Sequence, residues 1–169
     1  VSQIIDGEIA TALKEQNITA APRATEAELL RRIYLDALGR IPTAEEATKY
    51  LDDKSPDKHH RLIDELLSND EMPTYWSMVF DEWFNGSLPN RNATNQGFLT
   101  YLEQAIETNK PWNTLAREML DPDPSDEQQR PASYFLAVRL QGGDNAAKTD
   151  AMTSGVSTVF FGVQLQCAK

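Results

Sequence analysis

The chain has 169 residues, 40% of them hydrophobic, with three tryptophans and one cysteine, enough for one domain built on its own core without disulfides or a structural metal. Its 26 acidic and 16 basic residues give a formal net charge of −10, a field that repels phosphate backbones and anionic lipid, so no nucleic-acid or membrane-surface partner is expected. Apolar runs are only a few residues long, against the ~18 of a spanning helix, so no membrane insertion is expected either.

Helical punctuation dominates in chain order. Ile5, Ile9, Ala12 and Leu13 share one face of a first helix that should end near Asn17. Ala20 to Ala24, around Pro22, reads as an extended connector, because proline disfavours helix before itself. Thr25 and Glu28 form a capping box that opens a second helix, with Leu30, Ile33, Tyr34, Ala37 and Leu38 inward and Gly39 at the left-handed exit. Thr43 and Glu46 repeat the box for a third helix carrying Ala47, Tyr50 and Leu51. Ser55-Pro56-Asp57 supplies an N-cap, an N1 proline and a first-turn acid for a fourth, whose core face is Leu62, Ile63, Leu66 and Leu67.

A wide apolar arc, Tyr75, Trp76, Val79, Phe80 and Trp83, predicts a central helix over about 73–84. After a polar loop, Phe98, Leu102 and Ile106 recur at helical spacing. Lys110-Pro111 then breaks the pattern before an amphipathic segment with Trp112, Leu115, Ala116 and Met119. The Asp/Pro run from Asp121 is a loop, and residues 131–140 form a short helix. From about Asn145, Met152, Val156, Val159, Phe160 and Val163 line one side of a last helix, with Gly155 and Gly162 on a shared face for close approach. A strand over 159–165 lacks an evident partner. The sum is an all-α fold, an irregular array of about seven or eight short helices in a single domain, with Trp76, Phe80 and Trp83 at its centre.

Chemistry-bearing patterns are sparse. The two histidines, His59 and His60, are adjacent, so on a helix they point about 100° apart and cannot chelate one ion. One exposed and one partly packed histidine is expected. Asp121, Asp123, Ser125 and Asp126 imitate a calcium loop, but Asp126 and Ala132 stand where that loop needs glycine and glutamate, so a solvated turn is expected. Ser154 lies inside a predicted helix without a nucleophile elbow, and no phosphate-cradling glycine loop is present. No catalytic residue and no metal ligand is assigned. Arg32 and Asp36 have ion-pair spacing, and with Arg31 they could instead hold an anion or a cofactor propionate. Trp76, Trp83 and Trp112 would line a sugar platform if exposed, although their helical spacing with Val79, Phe80 and Leu115 favours burial. Asn17-Ile18-Thr19 and Asn92-Ala93-Thr94 match glycosylation tripeptides, a common pattern given no weight.

Four stretches together resemble a domain family of unknown function found beside cytochrome c domains in planctomycete secreted proteins. They are Leu30-Arg31-Arg32-Ile33-Tyr34-Leu35-Asp36-Ala37-Leu38-Gly39-Arg40-Ile41-Pro42-Thr43, then Leu62 to Ser68 with Tyr75-Trp76, then Asn109-Lys110-Pro111-Trp112, and Phe160 to Lys169. The last is similar to that family's F-x-G-x-x-x-x-C-A-x-C-H ending, in which Cys167 would be the first cysteine of a haem-attachment motif. On this reading residues 1–24 are an N-terminal helix and connector and 25–169 the family-like region, a C-terminally truncated piece of a larger protein.

The resemblance implies an exported protein, periplasmic or at the cell surface, whose full-length form carries haem c and transfers electrons. No cofactor is expected on residues 1–169 themselves. The implied partners are other domains of the same chain, a redox protein or a glycan. Two alternatives stay open: a carbohydrate- or protein-binding module linked to glycan processing, and an enzyme whose catalytic groups lie outside this stretch.

Overall fold

The computed structural model describes residues 2–86, 96–141 and 143–165, and these contain nine α-helices, one short 3-10 turn and no strand. The helices are α1 (Ser2–Glu15), α2 (Glu26–Leu38), α3 (Ala44–Asp52), α4 (Lys58–Leu67), α5 (Glu71–Asn85), α6 (Gln96–Glu107), α7 (Trp112–Leu120), α8 (Tyr134–Arg139) and α9 (Asn145–Phe161). The fold is all-α. Both expected capping boxes are in place, with Thr25 accepting from Glu28 N and Thr43 from Glu46 N. Gly39 closes α2 at φ 69°, where an added Cβ would also lie 2.2 Å from the Tyr75 ring of α5. α1 and α6 end on left-handed asparagines, Asn17 (φ 54°) and Asn109 (φ 48°), the second residue type that adopts this conformation at low cost.

Two hydrophobic cores share α5. The N-terminal core packs Leu30, Tyr34 and Leu38 of α2 against Tyr50 of α3 and Leu62 and Leu66 of α4, and Met72 of α5 closes it. Lys58, buried at the start of α4, donates to the carbonyls of Tyr50 and Asp53 at the end of α3 and pairs with Glu26 of α2. A cation at the negative end of one helix dipole thus fastens three helices. The C-terminal core is Phe84, Phe98, Tyr101, Leu102, Ala105, Leu115, Met119, Ala132 and Phe135. Fully burying side chains such as Phe98, Leu102, Met119 and Phe135 contributes roughly 2–3 kcal/mol each before entropy is counted.

Several expectations are corrected. Trp76 and Phe80 are half-buried, and Trp83 is 62% exposed, so none of the three is the centre. α5 instead turns Pro73, Ser77, Asp81, Phe84 and Asn85 inward, because the buried guanidinium of Arg139 lies opposite and needs polar partners. On α4, Ile63 and Leu67 are exposed, because α2 packs along the narrower Leu62–Leu66 stripe. That helix also starts at Lys58 rather than at Pro56: Asp53 captures both the amide and the hydroxyl of Ser55, so the serine cannot cap. Residues 159–161 are helical, which removes the strand alternative there, and Gly162 caps α9 at φ 65° instead of continuing a face with Gly155.

Candidate functional site

The most distinctive surface grows from the aromatic face of α5. Trp76, Phe80 and Trp83 recur at i, i+4 and i+7, so their rings form one row along the helix. The ring centroids of Trp83 lie 5.8 Å from Trp76 and 5.4 Å from Phe80. Trp112, the first residue of α7, reaches the same row, at 6.3 Å from Phe80 and 6.0 Å from Phe84. Despite these contacts Trp112 is 54% exposed. The expected burial of Trp83 and Trp112 is therefore overturned, since the inward sector of α5 is occupied by the polar ridge facing Arg139.

The turn before Trp112 is tightly specified. Lys110 N donates back to Ala105 O across left-handed Asn109, and Pro111 leads directly into α7. Lys110 Nζ bonds Glu118 at 2.6 Å and sits 4.7 Å over the Tyr101 ring. Tyr101 also donates to Glu118, at 2.7 Å. Burial, reinforced by that carboxylate, pushes the Tyr101 phenol well above its usual pKa, so it remains a neutral donor.

Beneath this surface lies a buried polar cluster. Arg139, 6% exposed, donates to Asn85 Oδ1 (2.9 Å), Phe135 O (2.6 Å) and Phe84 O (2.5 Å), and Asn85 in turn donates to Asp81. Its guanidinium lies 3.7 Å over the Phe135 ring, and burial lowers its pKa to about 10, so it is still a cation at neutral pH. Arg139 Nε has no hydrogen-bond partner and faces Gly155 of α9, where an added Cβ would stand 2.2 Å away. Sequence reading missed this group. The signal was a polar ridge, Ser77, Asp81 and Asn85, at i, i+4 and i+8 on an otherwise aromatic helix.

A concavity of about 230 Å³ lies between α2, α3 and α4 and is lined by Tyr34, Glu46, Lys49, Tyr50, Asp53, Lys58, Arg61, Leu62 and Glu65. Its charges are mutually engaged. Lys49 pairs with Glu65 (2.9 Å), Arg61 with Asp53 (2.5 Å), and Arg40 forks onto both Glu46 and Glu71 at 2.8–3.0 Å. The Arg40 bonds hold the Glu46 carboxyl down at about 2.

The residues singled out from sequence are scattered. Cys167 lies outside the described residues, as do Asn92 to Thr94. His60 is exposed and His59 half-buried, with its Nδ1 against the Tyr50 hydroxyl at 2.5 Å. Asp123 accepts from the amide and hydroxyl of Ser125, and Asp126 from Gln128 N, so both carboxylates serve their own turn. Arg32 and Asp36 form no ion pair. Both are exposed, the basic-before-acidic order is the weaker one on a helix, and Arg32 bears on Glu28 instead. Ser154 is half-buried within α9, and Asn17 to Thr19 is exposed.

Among the described residues no group of three or more histidine, cysteine or carboxylate side chains could hold a metal ion, and no helix is long and apolar enough to cross a membrane. A family model described as "PSCyt2: Protein of unknown function (DUF1549)" matches residues 4–169. No curated protein and no solved structure matches the chain.

Proposed function

The chain belongs to the PSCyt2 family of proteins of unknown function, and on that premise we propose that it is a non-catalytic helical module of an exported planctomycete protein leading into a c-type haem attachment site. The observation that carries this reading is the end of α9. Phe160 is anchored on Phe135, with ring centroids 5.4 Å apart, and Gly162 turns the chain off the helix in the left-handed conformation. Phe161, Val163 and Leu165 then stand exposed just before the sequence reaches Cys167. An apolar exit of this kind suits an apolar group or adjoining domain packed against it. The "Cyt" in the family's label agrees with the same reading.

The donors within residues 1–169 do not include the two thiols of a c-type attachment. There is one thiol, and the two histidines lie on α4, in the N-terminal core region, with His59 Nδ1 engaged by Tyr50. On this reading a second cysteine and an axial histidine would complete the attachment site with Cys167. A haem so attached would supply one-electron chemistry at a potential set by its axial ligand and burial. The part played by this chain is to anchor the end of α9 through Phe160, turn the chain off it at Gly162, and offer Phe161, Val163 and Leu165 to one apolar edge. The exported location and a redox-protein partner belong to the same proposal.

The test is to express the parent gene past Lys169 in a host with cytochrome c maturation. Haem that stays with the chain on a denaturing gel is expected, and Cys167→Ala should displace the pyridine haemochrome band or abolish attachment. A parent sequence without a following Cys-His, or a mature product free of covalent haem, overturns the proposal.

A further inference from the structure

We propose that the face formed by Trp83 and Trp112, backed by Trp76 and Phe80, is a carbohydrate-binding platform that stacks on the C–H faces of an uncharged polysaccharide. This goes beyond the redox reading and does not rest on it. Both indoles are more than half exposed, yet each is held by ring contacts at 5.4–6.3 Å. A ring that is exposed and already held in place gives up little conformational freedom on binding. Trp112 is presented by a constrained turn: left-handed Asn109, the Lys110 N to Ala105 O bond, Pro111, and a Lys110 side chain tied to Glu118. Asn109 and Asn113 flank it in sequence and are exposed, so amides are available for sugar hydroxyls.

Charge and composition select the occupant. The chain carries −10, and the lysine beside Trp112 is committed to Glu118, which leaves that turn no free cation for an anionic glycan, a nucleic acid or a phosphate. A protein partner would be better matched by aliphatic side chains filling between the rings. The exposed aliphatics sit on other elements: Ile4, Ile5 and Ile9 on α1, Ile18 and Ile41 in the turns on either side of α2, Ile63 and Leu67 on α4, Leu140 after α8, and Val163 and Leu165 after α9. Among the side chains of that row the exposed ones are indoles, with Val79 only partly exposed between them, and such a surface fits a ligand whose apolar face is a flat patch of C–H bonds, as a neutral pyranose chain offers.

The experiment incubates the 169-residue chain with insoluble cellulose, chitin, xylan and mannan, and with polygalacturonate as the charged control. Depletion of the protein from solution by at least one neutral polymer, but not by the control, is expected. Trp83→Ala and Trp112→Ala should each weaken that retention at least tenfold with unchanged far-ultraviolet circular dichroism and melting, while Trp83→Phe keeps most of it. Retention by no neutral polymer, retention indifferent to both alanine variants, or concentration-dependent self-association abolished by Trp112→Ala, each overturns the proposal.

Discussion

Arg40 shows how much a single planar cation can organise. Its fork bonds Glu46 of α3 and Glu71 of α5 while its guanidinium lies 5.4 Å over the Tyr34 ring of α2, so three helices meet on one side chain. The Glu46 carboxyl is held at about 2, against an ordinary value of 4.5, first by the Arg40 hydrogen bonds. A depressed carboxylate stabilises the folded chain above its unfolded pKa, and that contribution is lost as pH falls through the folded one. Urea unfolding should therefore show stability dropping by about 1–2 kcal/mol between pH 5 and pH 2 on account of this group, after allowance for its partial exposure. Arg40→Ala should cost about 2–3 kcal/mol at pH 7 and flatten that slope. An unchanged slope would show that the fork is not what holds Glu46.

At the scale of elements, α9 is positioned by a close approach instead of by a continuous apolar stripe. Gly155 leaves just enough room for Arg139 Nε. Gly155→Ala should cost about 1–3 kcal/mol, because a buried guanidinium held by three acceptors cannot step aside freely. In an Arg139→Ala background the same change should become neutral or stabilising, since the clash disappears and alanine favours helix by about 1 kcal/mol over glycine. A double-mutant cycle measures the coupling, and additive effects would refute the contact. α1 behaves oppositely. The side chains described for it, residues 3–15, are almost wholly exposed, with Ile4, Ile5 and Ile9 unburied, and an isolated helix of 14 residues is marginal in water. Deleting residues 1–20 should shift the melting temperature by less than about 2 °C. A larger fall would mean that α1 packs on the bundle.

For the molecule as a whole, the tryptophans report which surfaces face solvent. Acrylamide should quench wild-type fluorescence steeply. The Trp83→Phe/Trp112→Phe double variant, keeping half-buried Trp76, should emit further to the blue and quench weakly. Equal shielding of all three indoles would remove the exposed aromatic face. The same arrangement explains where sequence reading succeeded. Both capping boxes, Gly39, the Leu62–Leu66 stripe and the Phe98–Leu102 pair were legible, because each signal is local or compares residues one to two turns apart. The orientation of α5 was not, because hydropathy assigns tryptophan to the interior and aspartate or asparagine to solvent. Arg139, more than fifty residues away, reverses that preference.

By itself, then, the sequence determined an acidic, all-helical chain with well-placed helix ends and a family-like region over residues 25–169, since caps, period and motif are written in neighbouring residues. Tertiary structure alone decided that Arg40 and Lys58 would each join three helices, that a buried guanidinium would draw Asn85 and Phe84 inward, and that Trp83 and Trp112 would be left facing solvent. The physical reason is that burying a polar group is favourable only when partners from distant segments converge on it, and that convergence exists only in the folded chain.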